Sequence, residues 1–148
     1  MAPPLLSLAD ATILFGGRPT FTGVSLALGA GDRACLVGRN GGGKSTLLKI
    51  LAGLIQPDSG KLFRQPGARI VYMPQLPVFD PAMTVGDFVA TGVAGGAPDH
   101  LVAAMLDEVG MRADRTLDHL SGGESRRVSI AQVLIGDPDI LLLDEPTN

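Results

Sequence analysis

The densest chemistry in the chain lies at Gly38-Arg39-Asn40-Gly41-Gly42-Gly43-Lys44-Ser45-Thr46, which fits the pattern G-x-x-x-x-G-K-[ST]. Glycines let a backbone curl until successive N–H groups point into one concavity, where side chains would collide with phosphate oxygens. Lys44 supplies a point charge for the β- and γ-phosphates of a nucleoside triphosphate, and the Ser45 hydroxyl supplies a ligand for Mg²⁺. A helix opening at Gly43 adds the partial positive charge of its N-terminus. Stripped of its surroundings, the stretch would read as a glycine-rich turn. The surroundings favour phosphate binding. Arg33-Ala34-Cys35-Leu36-Val37 predicts a buried strand just before it, and Leu47, Leu48, Ile50, Leu51 and Leu54 predict an apolar helix face just after it.

A second chemical pair, Asp144-Glu145, follows the apolar run Ile140-Leu141-Leu142-Leu143, which has the character of a parallel strand buried on both faces. Ligands of open parallel sheets sit at the carboxyl ends of strands, so both acids are directed toward the glycine loop. Adjacent strand residues point opposite ways, which allows two roles: Asp144 can hold Mg²⁺ through water while Glu145 polarises an attacking water. In isolation the dipeptide would read as a solvated acidic turn. Leu120-Ser121-Gly122-Gly123-Glu124 has the spacing of a capping box at a helix start. Its serine and two glycines make a second anion site with no lysine of its own. One chain cannot readily bring both sites onto one γ-phosphate, so the second suits ATP held by another domain.

The elements that must position these groups follow from pattern. Leu5 to Phe15 and Phe21 to Leu28 predict strands separated by the breaker Gly16-Gly17-Arg18-Pro19. The helix after the loop is predicted to run to about Leu54, with Pro57-Asp58-Ser59-Gly60 as a turn beyond it. Lys61 to Arg64 and Ala68 to Met73 are short strand candidates. Prolines 74, 77 and 81 mark a loop, and helices are then expected at Val85 to about Thr91, capped by Thr84 with Asp87, and at Asp99 to Val109, closed by Gly110. A last helix is expected from Ser121 to about Ile135, stopped by Gly136 and Pro138.

A chain of 148 residues with 45% hydrophobic content suits one folded domain, not a disordered segment. No apolar run reaches the length of a membrane span, and the first residues lack the basic and apolar regions of a signal peptide, so a cytoplasmic location with no membrane insertion is expected. The single cysteine, Cys35, cannot form an internal disulfide and is expected as a small core residue. A net charge of −3 gives no global attraction to nucleic acid, and the clearest basic doublet is Arg126-Arg127.

Taken in order, the glycine–lysine loop, Gln75 after a short strand, Leu-Ser-Gly-Gly-Glu and Leu-Leu-Leu-Asp-Glu-Pro-Thr-Asn resemble the nucleotide-binding domain of the ATP-binding cassette (ABC) superfamily over essentially the whole chain. The resemblance implies an α/β fold: a P-loop NTPase core of residues 1–75 and 136–148, with an N-terminal antiparallel β subdomain and an inserted helical subdomain at 76–135. It implies that Gly38, Asn40, Gly41, Gly42, Gly43, Lys44, Ser45 and Thr46 hold the phosphates of ATP. Gln75 then reaches Mg²⁺ and the attacking water, Asp144 serves the Mg²⁺ site, and Glu145 is the catalytic glutamate. Ser121, Gly122, Gly123 and Glu124 form the signature that caps the γ-phosphate of an opposing cassette. Phe15 matches the position whose ring stacks on adenine, although core packing would account for it equally.

Within the superfamily, Phe15 to Pro19, Cys35 to Gly41 and Glu145 to Asn148 resemble the ABC-F branch, most closely the first cassette of Uup-type members. That resemblance implies a soluble protein with a second cassette, acting on the ribosome or another nucleic-acid machine. Two features depart from it. The D-loop and switch histidine that the family places after the catalytic strand are not among these 148 residues, and His100 and His119 both precede that strand, so the chain is expected to be truncated and to hydrolyse ATP weakly alone. Only 45 residues separate Gln75 from Ser121, too few for a long helical arm. Three readings stay open: an ABC-F ATPase, the ATP-binding subunit of a membrane transporter, and a non-hydrolysing fragment that binds nucleotide.

Overall fold

The computed structural model describes residues 3–145 except Gly16, Gly17 and the side chain of Phe15. The expected stacking of Phe15 on adenine and the ending Pro146-Thr147-Asn148 lie outside the described residues. Strands β1 (Leu6–Phe15), β2 (Arg18–Leu28) and β3 (Ser59–Arg64) form an antiparallel sheet in the order β2-β1-β3. Strands β4 (Ile70–Met73) and β5 (Ile140–Leu143) pair in parallel. The helices are α1 (Lys44–Leu51), α2 (Val85–Ala90), α3 (Asp99–Val109) and α4 (Gly122–Leu134), with a single 3-10 turn at Leu117–His119 before α4.

Strand β1 buries Leu6 and Leu8, then Ala11 and Ile13, so the buried positions switch from even to odd along one strand. Strict alternation would turn Ala11 and Ile13 to the other face. A bulge between Leu8 and Ala11 absorbs the extra residue: Asp10 takes φ 50°, and its N–H donates to the Ser25 hydroxyl at 2.9 Å. Gly60 crosses this bulge with φ 99°, where a Cβ would lie 2.6 Å from the Ala11 Cα. Ser59 and Gly60 therefore belong to β3 and not to the predicted turn.

Two apolar clusters result. One joins Leu6, Leu8, Ala11 and Ile13 of β1 to Leu47, Ile50 and Leu51 of α1 and to Ile140 and Leu142 of β5. The other lies among the helices, with Val85, Val89, Val102, Leu106, Val128 and Ala131 at its centre. Thr84 and Asp87 form the expected capping box on α2, Gly110 closes α3 in the left-handed conformation, and Ser121 with Glu124 caps α4. The Arg69 guanidinium donates to the carbonyls of Gly92 and Gly136, tying the start of β4 to the residues just beyond α2 and α4.

Two further sequence expectations fail. Residues 33–37 belong to no strand and are exposed, with Val37 90% accessible and Cys35 a free, exposed thiol instead of a core residue. A strand exists only with a hydrogen-bonded neighbour, and this segment is separated from β5 by an apolar groove of about 620 Å³ lined by Leu26, Leu36, Leu48 and Leu141 among others. The helix after the loop also ends early: Gly53 turns left-handed at φ 76°, and Leu54 is 64% exposed.

Ile50 is fully buried where the antiparallel sheet, α1 and β5 meet. Ile50→Ala is expected to lower unfolding free energy by about 2–5 kcal/mol, read from the midpoint of urea denaturation at unchanged slope.

Candidate functional site

The glycine loop ends at Gly43, which takes φ 86° and lies so close to Thr20 that a Cβ would come within 2.6 Å of its methyl group. Glycine is required there on both grounds. No side chain caps α1 and its first turn holds no acid, so the N–H groups opening the helix are available to an anion. The Lys44 Nζ folds back to donate to the carbonyls of Gly38 at 3.0 Å and Arg39 at 3.1 Å. The Gly42 N–H donates to the Arg39 carbonyl at 3.0 Å, closing the turn.

In front of the loop lies an open cavity of about 580 Å³. Asn40, Gly41, Gly43, Lys44, Ser45 and Thr46 form one wall, and Thr20, Gln75 and Glu145 face them. Gln75 donates from Nε2 to Glu145 Oε2 at 2.7 Å, while Lys44 Nζ lies 4.0 Å from Glu145 Oε1. Glu145 does not simply continue the strand as adjacent-residue alternation predicts. Its φ of 45° turns the backbone into the left-handed region, which a non-glycine residue holds only under constraint. Arg126 of α4 supplies one such constraint by donating to the Glu145 carbonyl at 2.6 Å.

Asp144 lies behind Ser45 and is 5% exposed. Ser45 donates to Oδ1 and the Tyr72 hydroxyl donates to Oδ2, each at 2.9 Å. Burial, then the hydrogen bond to Asp144 and its negative charge, push Tyr72 up to about 12, so it remains a protonated donor. The Ser45 hydroxyl, the Asp144 carboxylate and the Gln75 amide are hard oxygen donors of the kind Mg²⁺ takes. No group of three or more His, Cys, Asp or Glu that could hold a metal occurs among the described residues. The donor set therefore fits an ion that draws its other ligands from phosphate and water, not one caged by protein alone.

Ser121–Glu124 are not brought to this cavity, whose lining includes none of them. Ser121 is held by its own cap: its hydroxyl accepts from the Glu124 N–H at 3.3 Å and donates to Glu124 Oε2 at 2.8 Å. Gly122 and Gly123 are exposed and have open space where a Cβ would point. His100 and His119 are exposed, away from the loop cavity. The Arg126-Arg127 doublet is used internally, since Arg127 donates to the Val109 carbonyl at 3.0 Å. Thr20, Tyr72 and Arg126 were not singled out for the site from sequence. Tyr72 alone had a local signal, as the one hydroxyl in the apolar strand Ile70-Val71-Tyr72-Met73.

Comparison with known proteins gives a consistent picture. The family model described as ABC transporter matches residues 21–148. The chain is 49% identical over 146 residues to the ATP-binding protein Uup of Caulobacter vibrioides, covering 98% of this chain and 23% of that protein. It is 40% identical over 150 residues to the zinc import ATP-binding protein ZnuC of Yersinia pestis, covering the whole of this chain and 59% of that one. Among solved structures, an inward-facing chain described as a metal-chelate type ABC transporter superposes with a TM-score of 0.83 at 29% identity, over 97% of this chain and 61% of that chain. The chain thus spans between about a quarter and three-fifths of these relatives. Its mixed α/β architecture with an antiparallel β part is that of the ABC ATPase fold. No helix among the described residues is long and apolar enough to cross a membrane.

The Ser121–Glu124 cap has a pH consequence. The Arg115 guanidinium, followed by the N–H and hydroxyl of Ser121, holds Glu124 down to about 2. A carboxylate depressed in the folded state stabilises fully above its unfolded value, near 4.5, and loses that contribution as pH falls toward 2. Glu124→Gln is expected to flatten this part of the stability–pH curve, measured by thermal melting between pH 5 and about pH 2. Added salt should shrink the difference, because the pair is partly exposed.

Proposed function

This chain belongs to the ABC transporter family, and from that premise and the geometry of its loop cavity we propose that it binds ATP with Mg²⁺ and, in the complete protein, hydrolyses it to ADP and phosphate. The observation that carries the reading is the convergence of Lys44, Ser45, Gln75 and Glu145 on one open cavity at the uncapped end of α1. The N–H groups of residues 41–46 cradle the phosphates. Lys44 exchanges the carbonyls of Gly38 and Arg39 for phosphate oxygens. Mg²⁺, when bound, neutralises charge on the β- and γ-phosphates; Ser45 would hold it directly, with Asp144 and Gln75 beside it. Glu145, oriented by Gln75, accepts a proton from the attacking water as it adds in line to the γ-phosphorus.

Residues 121–123 lie outside the cavity and leave a bare glycine surface. This supports a head-to-tail pairing in which the signature of each cassette completes the site of another. The resulting clamp closes on ATP and reopens as product leaves. The separate apolar clusters support a division into a nucleotide-binding core, residues 1–75 and 136–148, and a helical signature unit, residues 76–135. For the load on the clamp, the 49% identity to Uup favours an ABC-F role at the ribosome or another nucleic-acid machine in the cytoplasm. The 40% identity to ZnuC favours the alternative of a subunit that drives a membrane transporter. Cosedimentation of the full-length protein with ribosomes in ATP supports the first; copurification with a membrane-spanning subunit supports the second.

Lys44→Ala is expected to weaken MgATP binding by at least about tenfold, equivalent to about 1.4 kcal/mol, and unchanged affinity by calorimetry would remove the lysine from phosphate binding. Glu145→Gln in the full-length protein should retain ATP and slow phosphate release by about 10²–10⁴-fold. Normal turnover by that variant would overturn the general-base role.

A further inference from the structure

We propose that Tyr72 is a positioning residue for the metal site: its hydroxyl, bonded to Asp144 Oδ2, fixes the carboxylate that in turn aims the Ser45 oxygen at the ion. This rests on reading Ser45 and Asp144 as the Mg²⁺ site.

The backbone register explains why this tyrosine and no other residue of β4 can act. Tyr72 pairs with Leu142, and Asp144 lies two residues further along, on the same face of the sheet. Diagonal neighbours of this kind are too far apart for short side chains but within reach of an aromatic ring. The neighbours of Tyr72 on β4 are Val71 and Met73, which face the other way and carry no donor. The tyrosine hydroxyl spans the gap at 2.9 Å.

The consequence falls on Ser45. A serine hydroxyl has one proton and two lone pairs, and it ligates a cation only through a lone pair. Donation of that proton to Asp144 Oδ1 at 2.9 Å turns the proton away from the cavity and leaves oxygen lone pairs for the ion. The donation needs a carboxylate held in one plane. Asp144 is buried, and its two oxygens are divided between two hydroxyl donors, Ser45 on one and Tyr72 on the other. Removing the Tyr72 donor leaves Oδ2 under-satisfied and lets the carboxylate rotate, so that both oxygens compete for Ser45.

Tyr72→Phe in the full-length protein isolates the effect, because it keeps the ring against β5 and deletes one oxygen. Affinity for a fluorescent ATP analogue is measured in EDTA and then across a Mg²⁺ titration, with Mn²⁺ binding followed by electron paramagnetic resonance. The expected result is nucleotide affinity in EDTA within twofold of wild type, and a metal midpoint raised by about tenfold or more. Ser45→Ala should raise the midpoint as well, and the double variant should fall short of the product of the two single effects, because both act through Asp144. A lowered melting temperature with an unchanged metal midpoint would mean that the hydroxyl only stabilises the fold, and would overturn the proposal. Wild-type nucleotide affinity that is indifferent to Mg²⁺ would overturn the underlying metal-site reading instead.

Discussion

The site depends on the register of two short parallel strands. Ile70 pairs with Ile140 and Met73 with Leu143, a constant offset of 70 residues. Carried past the strand ends, the same offset sets Gln75 level with Glu145, and the two side chains bond at 2.7 Å. A slip of one residue would turn Tyr72 away from Asp144 and place Gln75 beside the wrong neighbour. Such short strands cannot hold a register by ladder bonds alone, and here the flanks hold it. The Arg69 N–H donates to Asp139 at 2.8 Å, and the Arg69 carbonyl accepts from Ile140 at 3.1 Å. At the opposite end the Asp144 N–H donates to the Met73 carbonyl at 3.1 Å. The Arg69 guanidinium grips the residues beyond α2 and α4, so one residue ties the register, through its backbone, to the docking of the helices, through its side chain.

From that fixed pair of strands the site is assembled by contacts between segments distant in sequence. Ser45 and Asp144 are 99 residues apart and bond directly, which locks the start of α1 to the end of β5. Ile50 and Leu51 make the same connection through the core, since they share a cluster with Ile140 and Leu142. Polar and apolar contacts thus specify one docking, and each limits the freedom of the other. Glu145, like Asp10 in the β1 bulge, departs from relaxed geometry. A non-glycine residue at φ 45° costs on the order of 1–3 kcal/mol and persists only where its surroundings over-determine it. Gln75, Lys44 and Arg126 surround it from three different segments.

What was legible in the sequence was local. The glycine–lysine loop, the caps Thr84 with Asp87 and Ser121 with Glu124, and the strand Ile140–Leu143 all appear where neighbouring residues predict them, because each rests on residues within one short stretch of chain. What failed was set by partners elsewhere. Arg33–Val37 has the composition of a strand, yet it has no pairing edge beside it, and Cys35 is exposed in consequence. The parity switch in β1 could not be read from its alternation, because the bulge at Asp10 is stabilised by Ser25 on the next strand. Arg126 escaped for the same reason, and the Tyr72 hydroxyl, though it stands out in its apolar strand, does not by itself name a partner 72 residues away.

Helix α4 joins the two chemical regions that the sequence presents as separate. Its first residues expose Gly122 and Gly123, and one turn later Arg126 reaches the carbonyl of Glu145. The Ser121–Glu124 cap makes that first turn rigid, with Arg115 bound to the same glutamate from outside the helix. A rigid helix cannot move at its N-terminal surface without displacing Arg126. Arg126 thus ties the backbone at Glu145 to the helix that exposes Gly122 and Gly123, although none of residues 121–124 lines the loop cavity.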